Sequence, residues 1–119
     1  MAVNIEQKVT VVGLGYIGLP TAALIARSGC QVTGIDVSAT VVETINKGKV
    51  HIEEVDLDGL VQGVVARGTL VASTTMAAAD TFVIAVPTPH DADYRPDISF
   101  VLDAARAIAP ALEAGNLII

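Results

Sequence analysis

The sequence predicts an α/β fold in which a parallel sheet is covered by helices on both faces. Short apolar runs alternate with longer segments of helical periodicity along the chain, the order that produces parallel strands joined by crossover helices. Apolar residues make up 52% of the chain and aromatic residues only 3%. The core is therefore aliphatic, as is typical of parallel sheets buried on both faces. The 119 residues fit one domain.

The first half of the chain predicts two strands and two helices. Pro20 lies in the opening turns of the first helix, where a missing N–H costs least, and Gly29 follows its end. Ser38 is the expected N-cap of the second helix, and Gly48 ends it. The predicted elements are a strand over 8–13, a helix over 16–28, a strand over 31–36 and a helix from 39 to about 47.

The second half continues the alternation. Gly68 follows the first of its helices, and Asp97 or Ser99 is the expected cap of the last one. Pro110 is expected to kink that last helix or to leave one carbonyl to water, and Gly115 to end it. The predicted elements are a helix over 57–66, strands over 69–73 and 81–86, one helical turn over 76–79, a polar loop over 90–95, a helix reaching about 114, and a fifth strand over 116–119.

A glycine motif closes the first strand and opens the first helix. Gly13, Gly15 and Gly18 match the pattern G-x-G-x-x-G, with Tyr16 and Ile17 between the last two. In this context the first glycine permits the tight turn, the second leaves room for a pyrophosphate, and the third lets the helix approach the sheet. Helix N-terminal N–H groups favour the phosphate charge. The motif predicts a dinucleotide site on a Rossmann-type fold.

An acidic residue ends the second predicted strand. Asp36 lies 18 positions after Gly18, where a carboxylate accepts hydrogen bonds from the hydroxyls of the adenosine ribose. The same carboxylate repels a 2′-phosphate, and residues 37–42 contain no Lys or Arg to attract one. The expected cofactor is NAD rather than NADP.

A proline-rich turn follows the fourth predicted strand. Val86, Pro87, Thr88 and Pro89 begin where that strand ends. Ligands of doubly wound sheets bind beyond the carboxyl ends of the strands, near the switch point. We expect the prolines to hold the backbone against the cofactor and Thr88 to donate a hydrogen bond, although a plain stiffened loop has the same local pattern.

Charge and composition exclude several function classes. The net charge of −6 and the seven scattered basic residues argue against a nucleic-acid partner. Cys30 is the single cysteine, so neither a disulfide framework nor a metal cluster is expected, and we interpret it as a packing residue.

The sequence contains no apolar run that resembles a signal peptide or is long enough to span a membrane, so a cytoplasmic location is expected. The final apolar strand suggests the first domain of a longer protein.

In combination, these motifs resemble those of the UDP-glucose/GDP-mannose dehydrogenase family. The resemblance rests on the glycine motif, on Gly34-Ile-Asp36, on the segments 45–48 and 85–89, and on Pro96-Asp-Ile-Ser-Phe-Val101. It covers essentially the whole chain. The family's fold has an NAD-binding Rossmann domain, a central helical region and a nucleotide-sugar domain, and this chain looks like the first alone.

The resemblance implies a chemistry and a set of cofactor contacts. The family oxidises the C6 hydroxyl of a nucleotide sugar to a carboxylate with two NAD, through a thioester on a catalytic cysteine. That cysteine and a catalytic lysine lie in segments beyond Ile119, so no catalytic residue carries over and this chain alone is expected to be inactive. The full-length protein is expected to be a homodimer. The cofactor contacts that carry over are Gly13, Gly15, Tyr16, Ile17, Gly18, Asp36 and Thr88.

The substrate branch and the function class leave alternatives open. His51-Ile-Glu-Glu and Asp56-Leu57 are most similar to the branch that oxidises UDP-N-acetyl-D-mannosamine, although Val55 stands where that branch has proline. UDP-N-acetylglucosamine or UDP-glucose is the alternative substrate. Residues 51–56 are also interpretable as a plain solvated loop. A stand-alone NAD(H)-sensing module and another dehydrogenase class sharing only the Rossmann half remain as further hypotheses.

Overall fold

The structure, a computed structural model, describes residues 7–119. Its five strands form one parallel sheet in the order β3-β2-β1-β4-β5, which confirms the predicted α/β class. The elements are β1 (Lys8–Val12), α1 (Gly18–Arg27), β2 (Gln31–Ile35), α2 (Ala39–Asn46), α3 (Leu57–Ala66), β3 (Leu70–Ser73), β4 (Thr81–Ile84), α4 (Ser99–Ile108), a 3₁₀ turn (Ala109–Ala111) and β5 (Leu117–Ile118).

The strand order creates a switch point beside β1. Strands β2 and β3 are added on one side of β1, and β4 and β5 on the other. In the register of the sheet, Val12 pairs with both Ile35 and Ile84. Because all strands run parallel, the segments that follow β1, β2 and β4 lie together at the carboxyl ends of the strands.

Two hydrophobic clusters lie on opposite faces of the sheet. Neighbouring residues of a strand point to opposite faces, and Val11 belongs to one cluster while Val12 belongs to the other. The first cluster contains the buried faces of α1 and α3, and the second contains Phe82 and the buried side of α4. Cys30 is buried in the first cluster, which confirms its interpretation as a packing residue.

The predicted helical turn over residues 76–79 was wrong, because this segment is a non-helical crossover. The carbonyl of Ala77 accepts a hydrogen bond from the Thr10 hydroxyl at 3.0 Å. The N–H of Asp80 donates to the Lys8 carbonyl at 2.9 Å. One carbonyl inside the segment and the N–H that follows it are therefore bound to β1 instead of closing a helical turn.

The last helix is shorter than predicted. α4 ends at Ile108 and continues only as a 3₁₀ turn that contains Pro110. Proline has no N–H to extend the α-helical pattern beyond Ala109, which still has helical backbone angles. Pro110 thus lies beyond the α-helix, so the expectation of a kink inside a helix reaching residue 114 was wrong.

The start of α4 involves Asp97, though not as a regular N-cap. The N-cap position is Ile98, and an Asp97 carboxylate oxygen accepts the Ser99 N–H at 2.9 Å. Hydrogen bonds from the side chain and then the backbone of Ser99 hold the pKa of the Asp97 carboxyl below its ordinary value. The stabilisation that these hydrogen bonds give to the start of α4 is present at neutral pH, where Asp97 is charged. It is lost as the pH falls through the lowered pKa of Asp97. Asp97 has a structural role here.

Asn46 covers the free edge of β3, the outermost strand on its side. The side-chain N–H₂ donates to the Ala72 carbonyl at 2.9 Å, and the side-chain oxygen accepts the Ala72 N–H at 2.8 Å. An edge strand otherwise presents these groups to solvent or to another chain. The amide therefore substitutes for a neighbouring strand at this position.

We expect Asn46→Ala to lower the free energy of unfolding by about 1–3 kcal/mol, because two hydrogen bonds to the strand are lost. Urea denaturation followed by circular dichroism measures the change. Glu43→Ala is the matched control on the same helix, since its ion pair with Lys47 is exposed and worth about 0.5 kcal/mol at most. Equal losses in the two variants contradict the edge-covering role.

None of the helices formed by residues 7–119 has both the length and the apolar character needed to cross a membrane.

Candidate functional site

The glycine loop between β1 and α1 is packed so tightly that two of its positions exclude any side chain. Gly13 has a φ of +98°, and a Cβ there would lie 2.7 Å from the Ala85 carbonyl oxygen. A Cβ on Gly18 would overlap the carbonyl oxygen of Gly13. These two glycines therefore allow the chain to turn and α1 to begin directly against the sheet.

Gly15 differs from these two glycines because the space beside it is open. Apart from Gly15 itself and its two chain neighbours, no residue of the range 7–119 has an atom within 4 Å of a Cβ at this position. Within the same described range, the N–H groups of residues 15–18 make no hydrogen bond to the protein. α1 also has no side-chain cap at Ile17. Unsatisfied N–H groups at a helix N-terminus beside an open space suit a phosphate.

Asp36 directly follows β2, and its carboxylate lies against the glycine loop. One oxygen accepts the Leu14 N–H at 3.1 Å, and the other accepts the Ser38 N–H at 2.9 Å. The backbone N–H of Asp36 donates to the Ser73 carbonyl at 3.2 Å. The carboxylate is thus held in one orientation next to the loop.

The turn after β4 begins beside the glycine loop. Ala85 donates its N–H to the Val12 carbonyl at 2.8 Å, and a Cβ on Gly13 would lie 3.1 Å from the backbone nitrogen of Val86. Val86 is half-buried, whereas Pro87 and Thr88 are exposed. The first residue of the turn therefore contacts the loop, and the next two lie on the open side.

Tyr16 and Ile17 lie exposed at the start of α1. They are 68% and 72% accessible, respectively. Large apolar side chains with this much exposure beside free N–H groups are available for contact with a ligand.

Three contributors to the site were not predicted as such from the sequence, although Ser38 was expected to cap α2 and Gly34 belongs to the family resemblance. The N–H groups of Leu14 and Ser38 hold the Asp36 carboxylate. Gly34 lies under the Leu14 side chain, since a Cβ on this glycine would come within 2.7 Å of Leu14 Cδ2. A glycine inside an aliphatic strand is the one sequence signal for such a close approach.

The acidic segment of residues 51–56 lies beside α1, where Glu54, Val55 and Asp56 share a shallow depression with Pro20 and Leu24. Ile52 is buried in the core, and the other five residues are exposed. The segment borders a second shallow depression, of about 440 Å³, whose lining contains none of residues 13–18. This placement favours the solvated loop over a cofactor contact.

Other residues able to act in catalysis or metal binding are dispersed. Residues 7–119 hold no group of three His, Cys, Asp or Glu side chains able to bind a metal ion. His90 is exposed and stacks on Tyr94 with ring centroids 5.0 Å apart. The polar groups of the candidate site are therefore backbone N–H groups and the Asp36 carboxylate.

Comparison with known proteins places this surface in a family context. Residues 7–119 match the sequence profile of the UDP-glucose/GDP-mannose dehydrogenase family, NAD binding domain. The chain is 53% identical to a UDP-N-acetyl-D-mannosamine dehydrogenase of Yersinia pestis, over 95% of this chain and 27% of that protein. It is 49% identical to an NDP-N-acetyl-D-galactosaminuronic acid dehydrogenase of Ralstonia nicotianae, over 99% of this chain and 28% of that protein.

One solved structure is also similar to this chain. The UDP-N-acetyl-mannosamine dehydrogenase of Staphylococcus aureus superposes with a TM-score of 0.91 at 44% identity, over 93% of this chain and 27% of that one. The chain spans about a quarter of the length of these relatives. The glycine loop, the switch-point geometry and these similarities lead to one conclusion: the chain belongs to the UDP-glucose/GDP-mannose dehydrogenase family and is an NAD-binding domain of that family.

Proposed function

We propose that the chain binds NAD with its pyrophosphate over Gly15 and its adenosine ribose at Asp36. The open space at Gly15, bordered by the free N–H groups of residues 15–18, is the observation that carries this proposal. Uncharged N–H donors and the positive end of the α1 dipole stabilise phosphate charge without any basic side chain. The overall acidity of the chain is therefore compatible with an anionic cofactor.

Asp36 selects the cofactor through its charge and its remaining acceptor capacity. A carboxylate offers about four lone-pair positions, and the Leu14 and Ser38 N–H groups occupy two of them. The others are available to the two ribose hydroxyls. A 2′-phosphate in the same place would meet the carboxylate's negative charge, so NAD is favoured over NADP.

The remaining contacts bring the reactive end of the cofactor toward the turn after β4. When bound, NAD supplies the hydride acceptor. Val86 lies beside Gly13 of the glycine loop, and Pro87 follows it on the exposed side. Thr88 comes next and is also exposed, so its hydroxyl is available to the cofactor. Tyr16 and Ile17 cover the cofactor from the start of α1. These roles suit a domain whose residues bind and orient the cofactor.

The whole protein is proposed to be a nucleotide-sugar 6-dehydrogenase that oxidises the C6 hydroxyl of UDP-N-acetyl-D-mannosamine to a carboxylate with two NAD. The named relatives and the share of their length that the chain spans support this proposal. We assign the nucleophilic thiol, a catalytic lysine, the central helices and the nucleotide-sugar domain to the rest of the whole protein. The whole protein is proposed to assemble as a homodimer. Cys30, buried in the core, is unsuited to act as the nucleophile.

We expect Asp36→Ala to weaken NAD binding by about 1–3 kcal/mol, roughly fivefold to 150-fold, because hydrogen bonds to a charged group are lost. Isothermal titration calorimetry with NAD and NADP measures both affinities. Asp103→Ala is the matched control, since it removes the same charge from an exposed position on α4. Tighter binding of NADP than NAD by the unmutated chain overturns the cofactor assignment.

The 119-residue chain is expected to bind NAD but to show no turnover of UDP-sugars, because its single cysteine, Cys30, is buried in the core. Spectrophotometry of NADH formation at 340 nm checks this, and measured turnover contradicts it. The protein encoded by the complete reading frame then tests the substrate. Faster oxidation of UDP-N-acetylglucosamine or UDP-glucose than of UDP-N-acetylmannosamine overturns the substrate proposal, and a stop codon after Ile119 favours the sensing module.

A further inference from the structure

The end of β2 holds Leu14, the residue of the glycine loop that immediately precedes Gly15. We propose that Asp36 and Gly34 are positioning residues that seat Leu14, and with it the phosphate-binding N–H groups, before any cofactor arrives. The proposal deepens the assignment of the loop to NAD binding and rests on it. It gives Asp36 a second task besides binding the ribose.

Three contacts fasten the loop to β2. The Gly13 N–H donates to the Ile35 carbonyl at 2.7 Å. The Leu14 N–H donates to the Asp36 carboxylate at 3.1 Å. The Leu14 side chain is fully buried above Gly34, where an added Cβ would lie 2.7 Å and 3.0 Å from its two methyl carbons. The loop therefore depends on β2 as well as on β1, the strand from which it leaves.

This attachment matters because Leu14 and Gly15 share a peptide bond. A rotation or displacement of Leu14 moves the Gly15 N–H and the open space beside it. Binding groups held in the bound geometry lose less free energy on ordering when the ligand arrives. Because Asp36 keeps free lone pairs, the ribose hydroxyls can bind while the Leu14 N–H remains in place.

Asp36→Asn separates the positioning task from the charge. Asparagine keeps the shape of aspartate but has one acceptor oxygen and one N–H₂ group. Both Asp36 oxygens accept a backbone N–H, so the amide must place a donor against one of these two groups. Loss of the negative charge by itself favours anion binding nearby. A weaker affinity for a phosphate ligand is therefore the signature of a disturbed loop.

Inorganic pyrophosphate is the probe, because it reaches the loop but has no ribose. Its titration into the 119-residue chain, followed by the amide NMR signals of residues 14–18, yields a dissociation constant for each variant. We expect Asp36→Asn and Gly34→Ala each to weaken pyrophosphate binding roughly tenfold, the scale of one lost hydrogen bond to a charged group. We also expect both to shift the Leu14 amide signal and speed its hydrogen exchange. Because both act through Leu14, the double variant should lose less than the sum.

The control is Val37→Ala, in the same turn as Asp36. Val37 is 100% exposed, so this variant should retain pyrophosphate affinity and Leu14 exchange. Circular dichroism verifies the fold of every variant, and if Gly34→Ala does not fold, the Asp36→Asn result decides alone.

The positioning role is overturned if Asp36→Asn binds pyrophosphate as tightly as the unmutated chain, or more tightly, while losing affinity for NAD. That result would leave Asp36 as a ribose acceptor only. If the unmutated chain binds neither pyrophosphate nor NAD, the proposed function fails. The Leu14 exchange rates of the ligand-free variants still decide whether Asp36 and Gly34 seat the loop.

Discussion

Alanine at position 18 is expected to abolish measurable NAD binding and to lower the free energy of unfolding by about 3 kcal/mol, the upper range for overpacking a buried site. The added Cβ would overlap the Gly13 carbonyl oxygen and would lie 3.3 Å from the Ala85 Cβ. A backbone atom cannot rotate away as a side chain can. The start of α1 must therefore move from the sheet, carrying the N–H groups of the loop with it.

Urea denaturation and calorimetry with NAD test both parts of this expectation. Gly59→Ala is the matched control, because Gly59 lies in the first turn of α3, where an added Cβ would approach only its chain neighbours and the backbone of its own helix, among residues 7–119. That variant should gain about 0.5–1 kcal/mol from helix propensity. A Gly18→Ala protein that is as stable as the unmutated chain and binds NAD normally would refute the close packing at this position.

Gly15→Ala is expected to weaken NAD binding by at least about tenfold while changing stability by less than about 0.5 kcal/mol. The position has no positive φ and the space around a Cβ is open, so the folded chain accepts a methyl group. The pyrophosphate is proposed to occupy that same space, from which a side chain would exclude it. Binding and stability are thus expected to respond separately.

The same two measurements, made on Gly15→Ala beside Gly18→Ala, distinguish a ligand-binding glycine from a structural one. Unchanged NAD affinity in a folded Gly15→Ala protein would mean that the open space is not the phosphate position. A large loss of stability would mean instead that Gly15 serves the fold.

Much of the fold follows from local patterns. Ser38 was predicted as a helix cap, and its hydroxyl accepts the Val41 N–H at 3.3 Å at the start of α2. The predicted bounds of α3 match the observed helix, Leu57–Ala66. Caps, glycine stops and helical periodicity are encoded within a few residues, so such elements are readable from the chain alone.

The errors occur where distant parts of the chain decide the conformation. The segment after β3 bonds to Thr10 and Lys8 instead of forming a helical turn. Asn46 belongs to a segment that resembles the family, but the sequence did not indicate what its side chain does. The hydrogen bonds of that side chain to Ala72 show that it covers the edge of β3. These interactions depend on which strand lies at the edge and which lies next to it, and the spacing of residues does not specify that.

The sequence by itself determined the α/β class, the glycine loop at Gly13–Gly18 and the acid at Asp36, because glycine's conformational freedom and the alternation of strand and helix are local properties. Only the tertiary structure decided how these parts meet. It placed Asp36 on the Leu14 N–H, set Leu14 over Gly34 and brought Ala85 against Gly13. The physical reason is that parallel pairing joins strands far apart in the chain, and the contacts at their ends exist only once the sheet has formed.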